Sequence, residues 1–260
     1  MKNLEKIVQA ELDKIPELEI FKVNFEKKYL WIKLARATSS NILHHLTYKF
    51  TKNPIFTPVD KKTALQTLKY ESSKLKRLYE KSIQVPKVVY LNNDFFALED
   101  CGKTVHEHIK YNLIEDVDSL LVKTMEQLAN LHNINEYHGA SQIKNFTYQD
   151  GKVYLIDFEE SFDESIDLKA LQFRDLFLFM FSIAKYNIDT DYKKFIELYI
   201  EKTGNDDFFE RFKELLSKFT FLMNLAQKKI VWKFLDKDSK SVYRLFKGIL
   251  NTSDTKRTTT

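Results

Sequence analysis

The chain has a single cysteine, Cys101, in 260 residues. No intrachain disulfide is possible, and a reducing compartment suits such a chain best. Glycine and proline are scarce, at five and four, which argues against a loop-rich all-β or low-complexity protein. Long apolar runs are missing too. The most apolar, from Leu176 to Ala184, is about half the ~20 residues that span a bilayer, so it reads as a buried core helix. The N-terminus, Met-Lys-Asn-Leu-Glu-Lys, lacks the apolar core of a signal peptide. Neither sign of charge dominates: 41 basic and 37 acidic residues leave a net charge of +4, compatible with an anionic substrate or a membrane surface but demanding neither. There is no basic stripe or recognition motif for nucleic acid. One cysteine and scattered histidines give no zinc spacing, and the adjacent His44 and His45 point to different helix faces. A Gly-x-Ser-x-Gly elbow is also absent.

Hydrophobic residues make up 43 %, with 21 Phe and 13 Tyr. That suffices for one large domain or for two small lobes sharing a cleft. The pattern predicts an α+β chain. Leu4, Ile7, Val8, Leu12 and Ile15 have helical spacing that ends at Pro16. Residues 19–25 alternate as a strand, Glu26-Lys27-Lys28 is a turn, and 29–35 is the partner strand. Residues 39–50 look helical after a Ser39/Ser40 cap, and 53–58 form a loop. A long amphipathic helix covers 60–82. Two short strands, 85–90 and 95–99, precede a break at Asp100-Cys101-Gly102. A helix covers 117–134. From 167 onward the chain reads as all helix, with helices near 191–202, 206–220, 221–235 and 240–250, and a disordered tail over 251–260.

The most informative stretch is 138–159. Asp150-Gly151 between two apolar or alternating runs is a hairpin signal, because the turn needs positive φ. The strands predicted on either side are Asn145–Tyr148 and Lys152–Ile156. This places Asn145 and Asp157 at the open end of the hairpin, close together. An amide and a carboxylate there make a pair of oxygen ligands suited to Mg²⁺.

His138, Asn145, Asp157 and Phe158 match in type and spacing the catalytic loop and metal-binding segment of protein-kinase-like phosphotransferases. The stretch resembles that superfamily, and within it bacterial lipopolysaccharide core kinases and their relatives. Two positions depart: Ala140 stands where the catalytic-loop Asp belongs, and Glu159 replaces the Gly of Asp-Phe-Gly. The resemblance extends over roughly residues 20–185, but only this hairpin is specific. It implies a two-lobe fold, with a small antiparallel-sheet lobe over 1–100 carrying one long helix and an insertion near 39–58, and a helical lobe over 101–250.

On that resemblance the other site residues follow. Lys33, in Trp-Ile-Lys, is either an edge-strand lysine with its ammonium in water or the lysine that grips the ATP phosphates. Glu71 is either one charge on a solvated face or the partner that orients Lys33. The backbone of Glu99 to Cys101 would meet the adenine edge. Asp157 and Asn145 would bind Mg²⁺, Lys144 would neutralise the transferring phosphoryl group, and His138 would belong to the catalytic loop. Asp175 would brace that loop from beneath. No Gly-rich loop precedes Lys33, so either the Glu26–Lys28 turn covers the phosphates or nucleotide binding is weak. Ala140 cannot act as a base; Glu159, Glu160, Ser141 and His138 are the nearby groups that could substitute.

The expected activity is transfer of the ATP γ-phosphoryl group to a hydroxyl, of a sugar in lipopolysaccharide or a related surface glycan. A nucleotide-binding pseudokinase or scaffold and an atypical serine/threonine protein kinase are the alternatives. The expected place is the cytoplasm, with at most peripheral contact at the inner face of the membrane and no nucleic-acid partner.

Overall fold

The computed structural model describes residues 2–37, 57–188, 190–226 and 237–251. The expected helix at 39–50, most of the loop at 53–58 and the tail after Asn251 lie outside these residues.

Helix α1 (Lys2–Lys14) is followed by a meander of β1 (Ile20–Phe25) and β2 (Lys28–Leu34). Glu26 and Lys27 both take positive φ, 50° and 65°, so the turn has the twist a two-residue hairpin needs, without glycine. Helix α2 (Ala64–Glu80) starts at a capping box: Thr63 accepts from the Gln66 N–H while Gln66 accepts from the Thr63 N–H. Strands β3 (Val88–Leu91) and β4 (Phe95–Glu99) complete an antiparallel sheet of order β1-β2-β4-β3.

Both faces of this sheet are covered, and the alternation of side chains decides which residue faces where. Phe21, Val23, Leu30, Ile32, Phe95 and Ala97 pack with Leu4 and Val8 of α1. The opposite face carries Trp31 and Lys33 on β2 with Phe96 and Leu98 on β4, against α2 and the rest of the chain. Lys33 is thus buried, at 7 % exposure, and is not an edge lysine reaching into water.

After Glu99 the chain makes a short strand β5 (Lys103–Thr104) and a six-residue helix α3 (Val105–Lys110), neither of which the sequence pattern predicts. Helix α4 (Val117–Asn133) leads to the loop at 138–142 and a 3₁₀ turn (Ile143–Asn145). The hairpin follows as β6 (Phe146–Gln149) and β7 (Lys152–Leu155), joined by Asp150 at φ 50° and Gly151 at φ 80°. Strand β6 begins one residue later than expected, because Asn145 belongs to the 3₁₀ turn; β7 ends one residue early. Strand β5 pairs with β6 to make a second, three-stranded sheet.

Helices α5 (Leu168–Lys185), α6 (Tyr192–Thr203), α7 (Phe208–Ala226) and α8 (Lys237–Asn251) complete the chain. Helix α7 runs through position 220, where two helices were expected, since neither Gly nor Pro interrupts it there. The apolar run from Leu176 lies inside α5, which is buried nearly all round. No described helix is long and apolar enough to cross a membrane.

Candidate active site

A cavity of about 360 Å³ lies between the inner face of the first sheet and the second sheet. Trp31, Pro86, Leu98 and Ile156 give it apolar walls, and Glu99, Cys101 and Gly102 border it where the chain passes from one sheet to the other. Lys33, Glu71, Asn145 and Asp157 bring charge and polarity to its other end. Four of the residues singled out in the sequence therefore share one cavity wall, and two more border it.

Lys33 is the centre of this polar end. Its ammonium lies 2.8 Å from Glu71 and 2.6 Å from Asp157, and 3.7 Å from Glu159. Burial pushes its pKa down, but the carboxylates of Glu71, Asp157 and Glu159 more than offset this and hold it above the ordinary lysine value. Burial drives Glu71 the other way, above the usual carboxylate range, against the pull of Lys33. Asp157 is also desolvated, yet the Lys33 charge and hydrogen bond bring it below that range. The imbalance has a plain cause: three carboxylates face two cations, Lys33 and Arg36. The cluster has room electrostatically for further positive charge.

Arg36 was not foreseen from the sequence. It grips Glu159 bidentately, with Nη2 at 2.6 Å from Oε1 and Nε at 3.1 Å from Oε2, and holds Glu19 at 2.9 Å. Its place three residues after Lys33, just past the end of that strand, was the available signal. This explains why Glu159 is tolerated in place of glycine: its charge is paired. Glu19, Ile20 and Arg36 line the cavity, whereas the Glu26–Lys28 turn does not. Lys22 and Trp31, paired across β1 and β2, both bond Asp100, at 2.8 and 3.0 Å. Of the two readings offered for the missing Gly-rich loop, the cavity lining gives no support to cover by the Glu26–Lys28 turn.

Asp157 sits at φ +70°, a left-handed conformation uncommon outside glycine, asparagine and aspartate. Two contacts hold it there: its own carboxylate on Lys33, and the next N–H, of Phe158, donated to Glu71 Oε1 at 3.2 Å. Asn145 donates its side-chain N–H to Ala140 O at 2.7 Å. Its Oδ1 is the atom left for a ligand.

The loop at 138–141 is suspended from Asp175. The Asp175 carboxylate accepts from the N–H groups of His138 (2.6 Å) and Gly139 (2.9 Å), and Ser141 donates to it at 3.2 Å. His132 is 3.3 Å away and also bonds Tyr199. Although burial opposes ionisation, these donors hold Asp175 below the usual carboxylate range. The brace inferred from the sequence is present. Gly139, at φ +99°, has no room for a side chain: a Cβ would stand 2.9 Å from that of Glu160.

Two residues expected at the site are elsewhere. The His138 ring is fully buried, stacked on Phe158 at 4.4 Å, and its Nδ1 accepts from Ala140 N–H. Burial lowers its pKa to about 4, so the ring is neutral and cannot deliver charge to the cavity. Lys144 is exposed on the 3₁₀ turn and does not line the cavity. Of the groups weighed as substitute bases, Ser141 is buried and bonded to Asp175, and Glu159 is held by Arg36. Glu160 pairs with Arg174 at 3.3 Å, and burial raises its pKa.

The donor set fits a hard divalent cation. Carboxylate oxygens of Glu71, Asp157 and Glu159 lie within 4.8 Å of one another, Asn145 lines the same cavity, and oxygen-only donors suit Mg²⁺.

A four-stranded antiparallel sheet with a buried lysine–glutamate pair to its one long helix, facing an Asn/Asp hairpin backed by helices, defines a protein-kinase-like protein. The chain belongs to the RIO domain family, whose domain matches residues 19–176. An uncharacterised protein of Haemophilus influenzae is 29 % identical over 189 residues, 71 % of this chain and 76 % of that protein. Among solved structures, WaaP in complex with acyl carrier protein aligns with a TM-score of 0.46 and 11 % identity, over 86 % of this chain and 84 % of that chain.

Proposed function

We propose that this protein is an ATP-dependent phosphotransferase, divided near residue 100 into two lobes that hold the nucleotide between them. The observation that carries this reading is the double ion pair of Lys33 to Glu71 and to Asp157 at the floor of the cavity. It joins strand, helix and hairpin, and the Lys33–Glu71 pair is one that kinase-type phosphoryl transfer needs in place. The adenine lies between Trp31, Leu98 and Ile156, with the Glu99 C=O and the Cys101 N–H on its edge. Lys33 binds the phosphates and Glu71 orients it. Asp157 and Asn145 would hold Mg²⁺, which when bound supplies neutralisation of the phosphate charge. The remaining residues act by position: Asp175 fixes the loop, and Arg36 pairs with Glu159 and neutralises its charge. His138 serves the loop from within the core and is not a catalytic group.

The acceptor we propose is a sugar hydroxyl of lipopolysaccharide or a related surface glycan, met in the cytoplasm at the inner face of the membrane. Its oxygen attacks the γ-phosphorus, the bond to the β–γ bridging oxygen breaks, ADP leaves with that electron pair, and the hydroxyl proton passes to an oxygen of the transferred phosphoryl group. Ala140 supports a second reading, a nucleotide-binding pseudokinase, because the loop is intact but lacks its base.

Calorimetry with Mg²⁺-ATP tests the binding: the wild type binds, and Asp157→Ala loses binding. Equal binding by both would remove the metal assignment. Labelled phosphate appearing on a glycan fraction supports the acceptor; label on protein alone overturns it, and binding without turnover establishes the pseudokinase.

A further inference from the structure

Lys74, one turn beyond Glu71 on α2, takes no part in the chemistry above. It is 3 % exposed, and its ammonium has no hydrogen-bond partner. What surrounds it is aromatic: Tyr137 at 4.1 Å, Phe158 at 5.3 Å and Tyr70 at 5.7 Å from ring centroid to Nζ. The two phenol oxygens are engaged with each other at 3.4 Å, and Tyr70 donates to Glu160 O. Glu136, the acid whose charge acts most on Lys74, is held by Arg77 and Lys81; Asp175 is committed to the loop. Arg77 and Lys62 add repulsion. An ammonium kept out of water without an oxygen partner is a standing cost to the fold. Ring faces recover part of it.

The position gives that cost a use. Phe158 is fully buried, with the His138 ring stacked on it and the Lys74 ammonium over it. Its N–H is donated to Glu71. Helix α2 therefore grips Phe158 twice, at the backbone through Glu71 and at the ring through Lys74. The preceding residue is Asp157, held at positive φ.

We propose that Lys74 is a positioning residue: by its charge over the Phe158 ring it holds the 157–158 segment in place, and so sets the Asp157 carboxylate for its cation. The consequence for metal binding rests on the phosphotransferase reading; the consequence for the segment does not.

Lys74→Met tests this, because methionine keeps the unbranched chain and removes the charge. Three results are expected together. The melting temperature rises, since an uncompensated buried charge is gone. The Phe158 amide exchanges its hydrogen faster than in wild type, although the protein as a whole is more stable. ATP binding in the presence of Mg²⁺ weakens by up to roughly 30-fold, the full worth of a desolvated cation–π contact, while binding without Mg²⁺ is unchanged. A variant damaged merely in packing would melt lower and weaken both kinds of binding alike. Unchanged or slower exchange at Phe158, or a lower melting temperature, overturns the proposal. Unchanged Mg²⁺-ATP binding beside faster exchange overturns the link to the metal site. If the wild type itself binds no nucleotide, the phosphotransferase reading fails, and the exchange measurement still decides the role of Lys74.

Discussion

Alanine at position 140 sits on a loop whose every neighbour is held: Gly139 N–H and His138 N–H on Asp175, and the Ala140 N–H on His138 Nδ1. A carboxylate added there would enter a prepared backbone. Ala140→Asp is therefore expected to raise turnover by up to about 10²–10⁴-fold, the usual contribution of a general base; ADP release under saturating Mg²⁺-ATP measures it. Unchanged turnover would mean that the acceptor proton leaves by another route. Lys33 makes a second residue-scale case. Lys33→Ala leaves Glu71 buried without its cation, and the loss is expected to be about 3–5 kcal/mol, read from denaturant unfolding. Lys74 carries the opposite sign. Burial brings its folded pKa from 10.5 to about 8, so below pH 8 the charge is carried in both states and its cost is fully present. Between about pH 8 and 10.5 the folded form has lost the proton while the unfolded form retains it, and stability rises with pH relative to Lys74→Met. Unfolding free energies of both proteins across this window should converge as pH increases.

At the scale of elements, the parts legible in the sequence are those whose cause is local. The Asp150-Gly151 hairpin, the helices with 3.6-residue apolar spacing and the alternating strands all fall within a few residues of where periodicity places them. Helix α3 was missed although Thr104 and Glu107 form a capping box; Ser/Thr-x-x-Glu at 104–107 was its signal. The opposite error, a break inside α7, came from ending a helix without a residue that ends helices. For the candidate site, Asn145 and Asp157 stand out by their spacing in the hairpin, Lys33 by its place in Trp-Ile-Lys and Glu71 by its place mid-helix, and the four line one cavity. Arg36 and Lys74 do not stand out, because what singles them out is a partner, or the lack of one, more than sixty residues away. Asp175 belongs between these cases: the resemblance implies its place, but the donors on it, His138 N–H, Gly139 N–H and Ser141 Oγ–H, are tertiary. Asp175→Asn keeps the size and loses the charge that accepts them. It is expected to unfold at lower denaturant and to lose nucleotide turnover together, measured by unfolding and ADP release. Normal turnover in that variant would show that the loop keeps its shape unaided.

Across the whole molecule, the cavity is open to a simple probe. Cys101 is the only thiol, borders the cavity, and is pushed by burial to a pKa of about 12. Its reaction with a thiol reagent should be slow in the folded protein, fast in denaturant, and slower still with Mg²⁺-ATP present. Nucleotide without effect on the folded rate would place the binding site elsewhere.

Helix α1 precedes the first residue of the RIO match, at 19, yet Leu4 and Val8 are 1 % and 2 % exposed beneath it. Like a tile over a roof seam, it keeps rain off one side of the sheet. Stripped of those eighteen residues, the chain would present Phe21, Val23, Leu30 and Ile32 as a bare greasy plate, inviting clumping. Where kinship with a family starts is not where this molecule can safely be cut.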